Sequence, residues 1–370
     1  RFVSTVEDDM ILLSSHGELK LGGNGINSVG LKVNSNYNKN YIGIGNIDDY
    51  AHRNLHINVK ESLDENNKNG ILITSDEQNK IYPDISLKNN SNGNLITNFS
   101  IGLFFFTLLV QFVMVFDDLW GLKPLTKLFL QTVCVGGLIF VSDMYIDSLG
   151  DLFGYGDIVL GLYGIPFTIF CVVGIMNAFN MIDGINGLCA SMCLICFVAI
   201  IYVINADSIP SLFPLILPVG SIVGFLMYNL GILGDRTVFL GDNGSNSLGF
   251  LCAWVLIYFS SIENAVISPV TALWLVAIPF VDAVGVILSR ILNKLKILNA
   301  YRDHIHHKML NRGFSDELIF SLLVILSGFL AFVGLYFNKN FPDQSFYSFY
   351  AFFVFWLCYY LIVKRLSDDV

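Results

Sequence analysis

The 370-residue chain is 54% hydrophobic and only 14% charged, with a formal net charge of −9 and a mean hydropathy of +0.62. Soluble globular domains carry about 25% Asp, Glu, Lys and Arg, so a soluble enzyme, a nucleic-acid binder and a disordered chain all fit poorly. The shortage is uneven. Residues 1–97 hold nine Lys/Arg and twelve Asp/Glu, whereas residues 98–370 hold only twelve and eighteen, and the second part reads as a polytopic membrane protein.

Residues 1–97 contain seventeen Asn. Short alternating stretches at Glu18–Leu21, Leu55–Val59 and Gly70–Thr74 between Asn/Gly turns predict a soluble, β-leaning or poorly ordered segment without a catalytic constellation. The chain opens on Arg1 without a signal peptide, as expected of a fragment or a processed product. From residue 98, uncharged runs predict about nine transmembrane helices near 98–116, 125–145, 158–178, 187–206, 211–233, 245–260, 266–292, 315–337 and 345–363. Most are long enough to cross roughly 30 Å of hydrocarbon at 1.5 Å per residue. The expected fold is therefore an all-α polytopic membrane protein behind a soluble N-terminal segment. All seven Cys lie in the apolar runs, and the Cys193-x-x-Cys196 pair is expected to be packing.

Basic residues set the expected orientation. With the first helix running outside to inside, Lys123, Lys127, Arg236, Arg290, Lys294, Lys296, Arg302, Lys308, Arg312, Lys364 and Arg365 fall inside, against Lys339 alone outside. This places the C-terminus inside and residues 1–97 outside. The polar clusters then share the inner side: Asp117-Asp118, then Asn177, Asn180, Asp183 and Asn186, then Phe239-Leu240-Gly241-Asp242-Asn243-Gly244-Ser245, then Arg302, Asp303, His304, His306 and His307.

Each cluster also has a plainer reading. Adjacent Asp at a helix end is often a solvated pair, and Asn/Asp/Gly strings suit turns. Asp282, alone within the seventh helix, fits a helix–helix hydrogen bond as well as catalysis. Taken together, carboxylates, amides and a basic His/Arg loop suit phosphate chemistry, with hard oxygen ligands for Mg²⁺ and cations to neutralise a transferred phosphoryl group. A membrane setting points to a lipid phosphate as one substrate. A transporter would place its polar residues near the midplane. An inactive or chimeric membrane protein whose N-terminal segment is an unrelated working module is the other alternative.

The strings N-A-F-N-M-I-D-G-I-N-G-L, N-L-G-I-L-G, F-L-G-D-N-G-S, S-P-V-T-A-L-W and R-D-H-I-H-H-K-M-L-N-R-G-F resemble those of the polyprenyl-phosphate N-acetylhexosamine-1-phosphate transferases (glycosyltransferase family 4). Within them, the resemblance is to the enterobacterial enzymes that use UDP-GlcNAc, and it covers about residues 100–365. It implies transfer of N-acetylhexosamine-1-phosphate from a UDP-sugar to undecaprenyl phosphate, releasing UMP, as the first step of lipid-linked glycan assembly. It implies Mg²⁺, with Mn²⁺ as a substitute, and a bacterial cytoplasmic membrane with the active site on the cytoplasmic face.

By match to the family motifs, Asp117 and Asp118 would be the catalytic acidic pair, supported by Asp183. Asn180 and Asp242 would ligate the metal. Lys127, Asn177, Asn186, Phe239, Arg302, His304, His306 and His307 would bind substrate, with Asn186 and Phe239 at the uracil ring. Expected partners are the UDP-sugar, undecaprenyl phosphate and the bilayer, with a homodimer as the assembly and no nucleic acid. Two departures stand out. Many relatives carry Asp at the position of Asn186, and residues 1–97 stand where the family has two further helices and a basic loop, so that 98–370 is the expected transferase domain.

Overall fold

The structure is a computed structural model that describes strand residues within 1–91 and residues 92–204, 213–234, 238–261, 265–296, 303–342 and 344–368, with side chains from residue 99 onward except at 213–214 and 367–368. Two compact units result, Arg1–Gly93 and Asn94–Val370. In the first, three antiparallel hairpins pair Asp9–Ser14 with Gly17–Gly22, Gly30–Asn34 with Tyr41–Gly45, and Asn69–Ile71 with Leu87–Asn89. Glu18–Leu21 falls inside one of these strands; residues 55–59 lie outside the described residues.

The second unit is helical: α1 Asn92–Trp120, α2 Pro124–Ser142, α3 Gly164–Ile182, α4 Leu188–Val203, α5 Phe213–Asn229, α6 Gly241–Ser260, α7 Pro269–Leu275, α8 Ala277–Leu292, α9 Ile305–Asn311, α10 Asp316–Asn340 and α11 Ser345–Asp368. The protein is a membrane protein. Five stretches are long and apolar enough to span a bilayer (Phe99–Trp120, Pro124–Ser142, Gly161–Ile182, Asp316–Asn340 and Ser345–Leu366), and α7 with α8 makes a sixth if the bent pair is one span. Helices α4 and α5 are apolar but shorter, and α6 opens on the polar run Gly241–Ser247.

The seventh apolar run, expected as one helix over 266–292, is broken at Val276, with α7 and α8 meeting at 87°. Pro279 explains where the break falls. It has no N–H to donate to the carbonyl of Leu275, so the ladder cannot run through, and Pro is tolerated in the first turn of the new helix. The backbone N–H of Phe280 then donates to Val276 O (3.1 Å) and starts α8.

The bundle is built around α3 and α6. Along α6 the side chains from Phe250 to Phe259 are nearly all buried, except Leu251. Gly249 lets the two helices close: a Cβ there would meet the Met176 Cα at 2.7 Å. Against α4, the thiols of Cys193 and Cys252 approach to 3.1 Å within the apolar core. Far from the α9 end of α10, Asn338 accepts from the Ser268 N–H (2.8 Å) and donates to Val266 O (3.0 Å), which fixes the start of α7.

Because the atom facing Gly249 is backbone, the neighbour cannot move aside as a flexible side chain would. Gly249→Val should therefore destabilise the bundle by about 1–3 kcal/mol, read as a lower unfolding temperature in detergent micelles, while Gly136→Ala, where a Cβ meets nothing within 4 Å, should leave it unchanged.

Candidate active site at one end of the bundle

The last turn of α1 brings Asp117 to the start of α2. Its Oδ1 accepts from the Leu122 backbone N–H (2.9 Å), closing the tight α1–α2 connection. Its Oδ2 accepts from Lys127 Nζ at 3.0 Å, and the same ammonium donates to Asp242 Oδ2 at 2.7 Å on the first turn of α6. One cation thus joins two carboxylates separated by more than a hundred residues. Asp118, its neighbour in sequence, is exposed.

One turn deeper the same two helices meet again. Gln131 Nε2 donates to Asn246 Oδ1 (2.8 Å), and both side chains are fully buried. Asn246 Nδ2 donates back to the Asp242 carbonyl (2.7 Å), and Asn177 Nδ2 on α3 donates to Gln131 Oε1 (2.9 Å). Lys127 and Gln131 are four residues apart, as are Asp242 and Asn246, so each pair lies on one helix face. The sequence reading missed Gln131 and Asn246. A glutamine four residues after a candidate lysine in an otherwise apolar run was the signal that could have found the first.

Helix α3 runs to Ile182, so Asn177 and Asn180 sit within the helix rather than in a turn. Asp183 caps it, half-buried. Burial and the nearby Asp242 carboxylate push its carboxyl up to about 7. The turn that follows requires glycine at Gly187 (φ +75°), where a Cβ would also strike Leu230. Asn186 and Phe239 are exposed, and among the described residues no hydrogen bond or ring contact joins them to the ion pairs. Arg302 lies outside the described residues.

The His-Ile-His-His segment packs onto this turn. His306 is fully buried, and a Cβ on Gly184 would collide with its Nε2, so the Asp-Gly-Ile-Asn-Gly turn and the histidine loop share one contact. Among the described residues neither ring nitrogen of His306 has a hydrogen-bond partner. Burial, aided by His307 and His304 and opposed by Asp282, lowers its pKa to about 4. The His304 ring lies parallel to it, with centroids 6.2 Å apart, and His307 lies 4.1 Å away. His304 Nδ1 contacts Asp282 Oδ2 at 2.7 Å. Just before it, Asp303 pairs with Arg290 through two hydrogen bonds of 3.0 and 2.8 Å. Burial alone would raise the Asp303 carboxyl, but the guanidinium outweighs it and holds it below the usual range.

Among the described residues no three His, Cys, Asp or Glu side chains form a ready-made metal cage. That is compatible with Mg²⁺, which keeps waters and takes few protein ligands beside substrate phosphates. The donor set is hard oxygen, and the ammonium held between Asp117 and Asp242 marks where positive charge is favoured.

An apolar cleft of about 650 Å³ lies between α1, α5 and α6, lined by residues including Leu103, Phe104, Leu217 and Ile222, and it reaches Leu240 and Gly244 on either side of Asp242.

Two outcomes follow from this geometry. Gly184→Ala should displace His306 and lower whatever activity the site has by tenfold or more, measured as kcat/KM, at an unchanged expression level. A histidine pKa of about 4 against 6.5 unfolded means the unfolded chain binds the proton first. Stability should then be lost as pH falls from about 6.5 to about 4, by at most about 3 kcal/mol from this residue. Thermal unfolding of His306→Gln should show a smaller loss across that window.

The family model for glycosyl transferase family 4 matches residues 100–260, which takes in α1 to α6 with Asp117, Lys127, Asn177, Asp183 and Asp242. Undecaprenyl-phosphate alpha-N-acetylglucosaminyl 1-phosphate transferases are among the relatives. The one from Yersinia pestis is 31% identical over 229 residues, 61% of this chain and 63% of the relative. That from Salmonella typhi is 34% identical over 229 residues (60% and 62%), and that from Haemophilus influenzae 32% over 240 residues (63% and 67%). The chain thus spans somewhat less than two thirds of the first two relatives and two thirds of the third. On the family match and these relatives together, the chain belongs to glycosyl transferase family 4.

Proposed function

We propose that this chain transfers N-acetylhexosamine-1-phosphate, with GlcNAc as the sugar, from a UDP-sugar to undecaprenyl phosphate and releases UMP. The observation that carries the reading is the ion cluster Asp117–Lys127–Asp242 at the end of an apolar helix bundle. It sets acidic and cationic groups where a lipid phosphate at the bilayer surface would meet a water-soluble nucleotide. The activity of the relatives and the family match support it over a chain whose N-terminal segment is the working module.

In this reading an oxygen of the lipid phosphate attacks the phosphorus that carries the sugar. The bond from that phosphorus to the oxygen bridging to the uridine-bearing phosphate breaks, and UMP departs with that oxygen. The acidic pair Asp117 and Asp118 takes the proton from the lipid phosphate; direct attack by one of these carboxylates on phosphorus is the competing scheme. Lys127 neutralises charge on the transferred group. The buried Gln131–Asn246 contact holds α2 and α6 in register so that Lys127 and Asp242 face each other. Asp183, with a pKa near neutrality, supports the polar centre.

Bound at Asp242 and Asn180, Mg²⁺ would supply charge neutralisation to the pyrophosphate. Asn186 and Phe239, both exposed, would receive the base, and Asn177, Arg302, His304, His306 and His307 would complete the substrate side. The apolar cleft that reaches the turn bearing Asp242 gives a lipid acceptor hydrocarbon-lined volume beside the reacting end. The distribution of basic residues supports a site on the inner face with the C-terminus inside, and the family resemblance supports a bacterial cytoplasmic membrane. A homodimer is the assembly expected from the resemblance.

Membranes containing the chain should release UMP from UDP-GlcNAc when given undecaprenyl phosphate and Mg²⁺, followed by chromatography of the nucleotide product. Asp117→Asn and Asp242→Ala should each reduce release by a thousandfold or more. Gln131→Leu should reduce it by about ten- to a hundredfold, because it leaves the buried Asn246 amide oxygen without its donor and takes one of its two acceptors from the half-buried Asn177. Absence of UMP release from correctly folded wild-type chain would reject the reading.

A further inference from the structure

Asp282 is a carboxylate within α8, 3% exposed, where an isolated charge is expensive. It has three partners from two other parts of the chain. Its Oδ1 accepts from the Ile305 backbone N–H (3.0 Å) and from the Tyr359 hydroxyl on α11 (3.0 Å), and its Oδ2 meets His304 Nδ1 (2.7 Å). Eight residues further along α8, Arg290 grips Asp303 through two bonds. The entry to the histidine loop is therefore fastened at consecutive residues 303, 304 and 305 to a single helix. Tyr359 is itself 6% exposed, so its hydroxyl has a structural reason to seek Asp282 rather than water.

Donors converge on the carboxylate from every side. A carboxylate that already receives an N–H and an O–H on one oxygen acts as the acceptor throughout, so the proton of the 2.7 Å contact belongs on His304 Nδ1. In the neutral imidazole with its proton on Nδ1, the other ring nitrogen, Nε2, carries the lone pair. We propose that Asp282 and Tyr359 are positioning residues that lock the ring orientation of His304 and its Nδ1–H tautomer, so that the loop presents an acceptor nitrogen at Nε2. This rests on the transferase reading for its consequence in catalysis, but the tautomer itself does not depend on it. Sequence spacing pairs none of these three residues, which are 22 and 77 positions apart.

The test uses the full chain in lipid nanodiscs with ¹⁵N-labelled histidine, the His304 resonances being those lost in His304→Gln. Wild type should show a protonated Nδ1 and an unprotonated Nε2. Asp282→Asn should abolish that preference, and Tyr359→Phe, which keeps the ring packing, should weaken it. In the UMP-release assay Asp282→Asn should lower kcat/KM by about ten- to a hundredfold and Tyr359→Phe by about threefold. The double variant Asp282→Asn/His304→Gln should be no worse than His304→Gln alone, since both act through one group.

Multiplying losses in the double variant, or an unchanged His304 tautomer in Asp282→Asn, would overturn the proposal. If wild type shows the tautomer but releases no UMP, the transferase reading fails and the positioning role stands.

Discussion

The Lys127 ammonium between Asp117 and Asp242 is the contact on which the polar end of this bundle depends. Two carboxylates brought this close at the edge of an apolar core repel one another and resist ionising together. A shared cation relieves both. Removing it would leave partly buried like charges facing each other, which costs far more than the pair contributes over an apolar replacement. The cluster also ties the end of α1, the start of α2 and the start of α6 to a common point, so the positions of three helices follow from one side chain. Asp242 is half-exposed, so water screens its attraction to Lys127, while the shared contact still fixes where the three helix ends meet.

Below that contact, burial turns polar groups into alignment devices. Gln131 and Asn246 are inaccessible to water, so their amides must satisfy each other, and they do so one turn from Lys127 and Asp242. A slip of one residue in either helix would leave them unpaired in the core. The same logic governs α8, where Asp282 and Arg290 accept and donate to the residues that open the histidine loop. The 87° break at Val276 belongs to this design, since it sends α8 away from α7 along its own course. Two motifs distant in sequence, Asp-Gly-Ile-Asn-Gly and His-Ile-His-His, then touch through Gly184 and His306, where only a residue without a side chain leaves room for the ring.

Much of this was legible in the chain itself. The uncharged runs placed the helices, because a segment that must satisfy its backbone in hydrocarbon has little choice but to coil. The Asp-Asp pair, the Asn-rich turn, the Gly-Asp-Asn segment and the histidine loop stood out as polar groups where polar groups are costly. Asp282 stood out as well, although nothing adjacent to it indicated a partner. Gln131 did not stand out, since a single amide in an apolar run looks like a tolerated exception until its partners are known. The seventh helix read as continuous because its hydropathy is continuous, although Pro279 carried the information that breaks it.

The amino-acid sequence by itself determined that this is a helical membrane protein with its chemistry gathered in a few polar strings, for hydropathy and local backbone preference are written residue by residue. Only the tertiary structure decided which of those strings meet. The Lys127–Asp242 and Gln131–Asn246 pairs are each 115 residues apart, and Asp282 finds Tyr359 at a separation of 77. Such pairings have no period and no spacing rule. They exist because the helices pack closely enough to bring polar groups distant in sequence within hydrogen-bond reach, as Gly249 allows between α3 and α6.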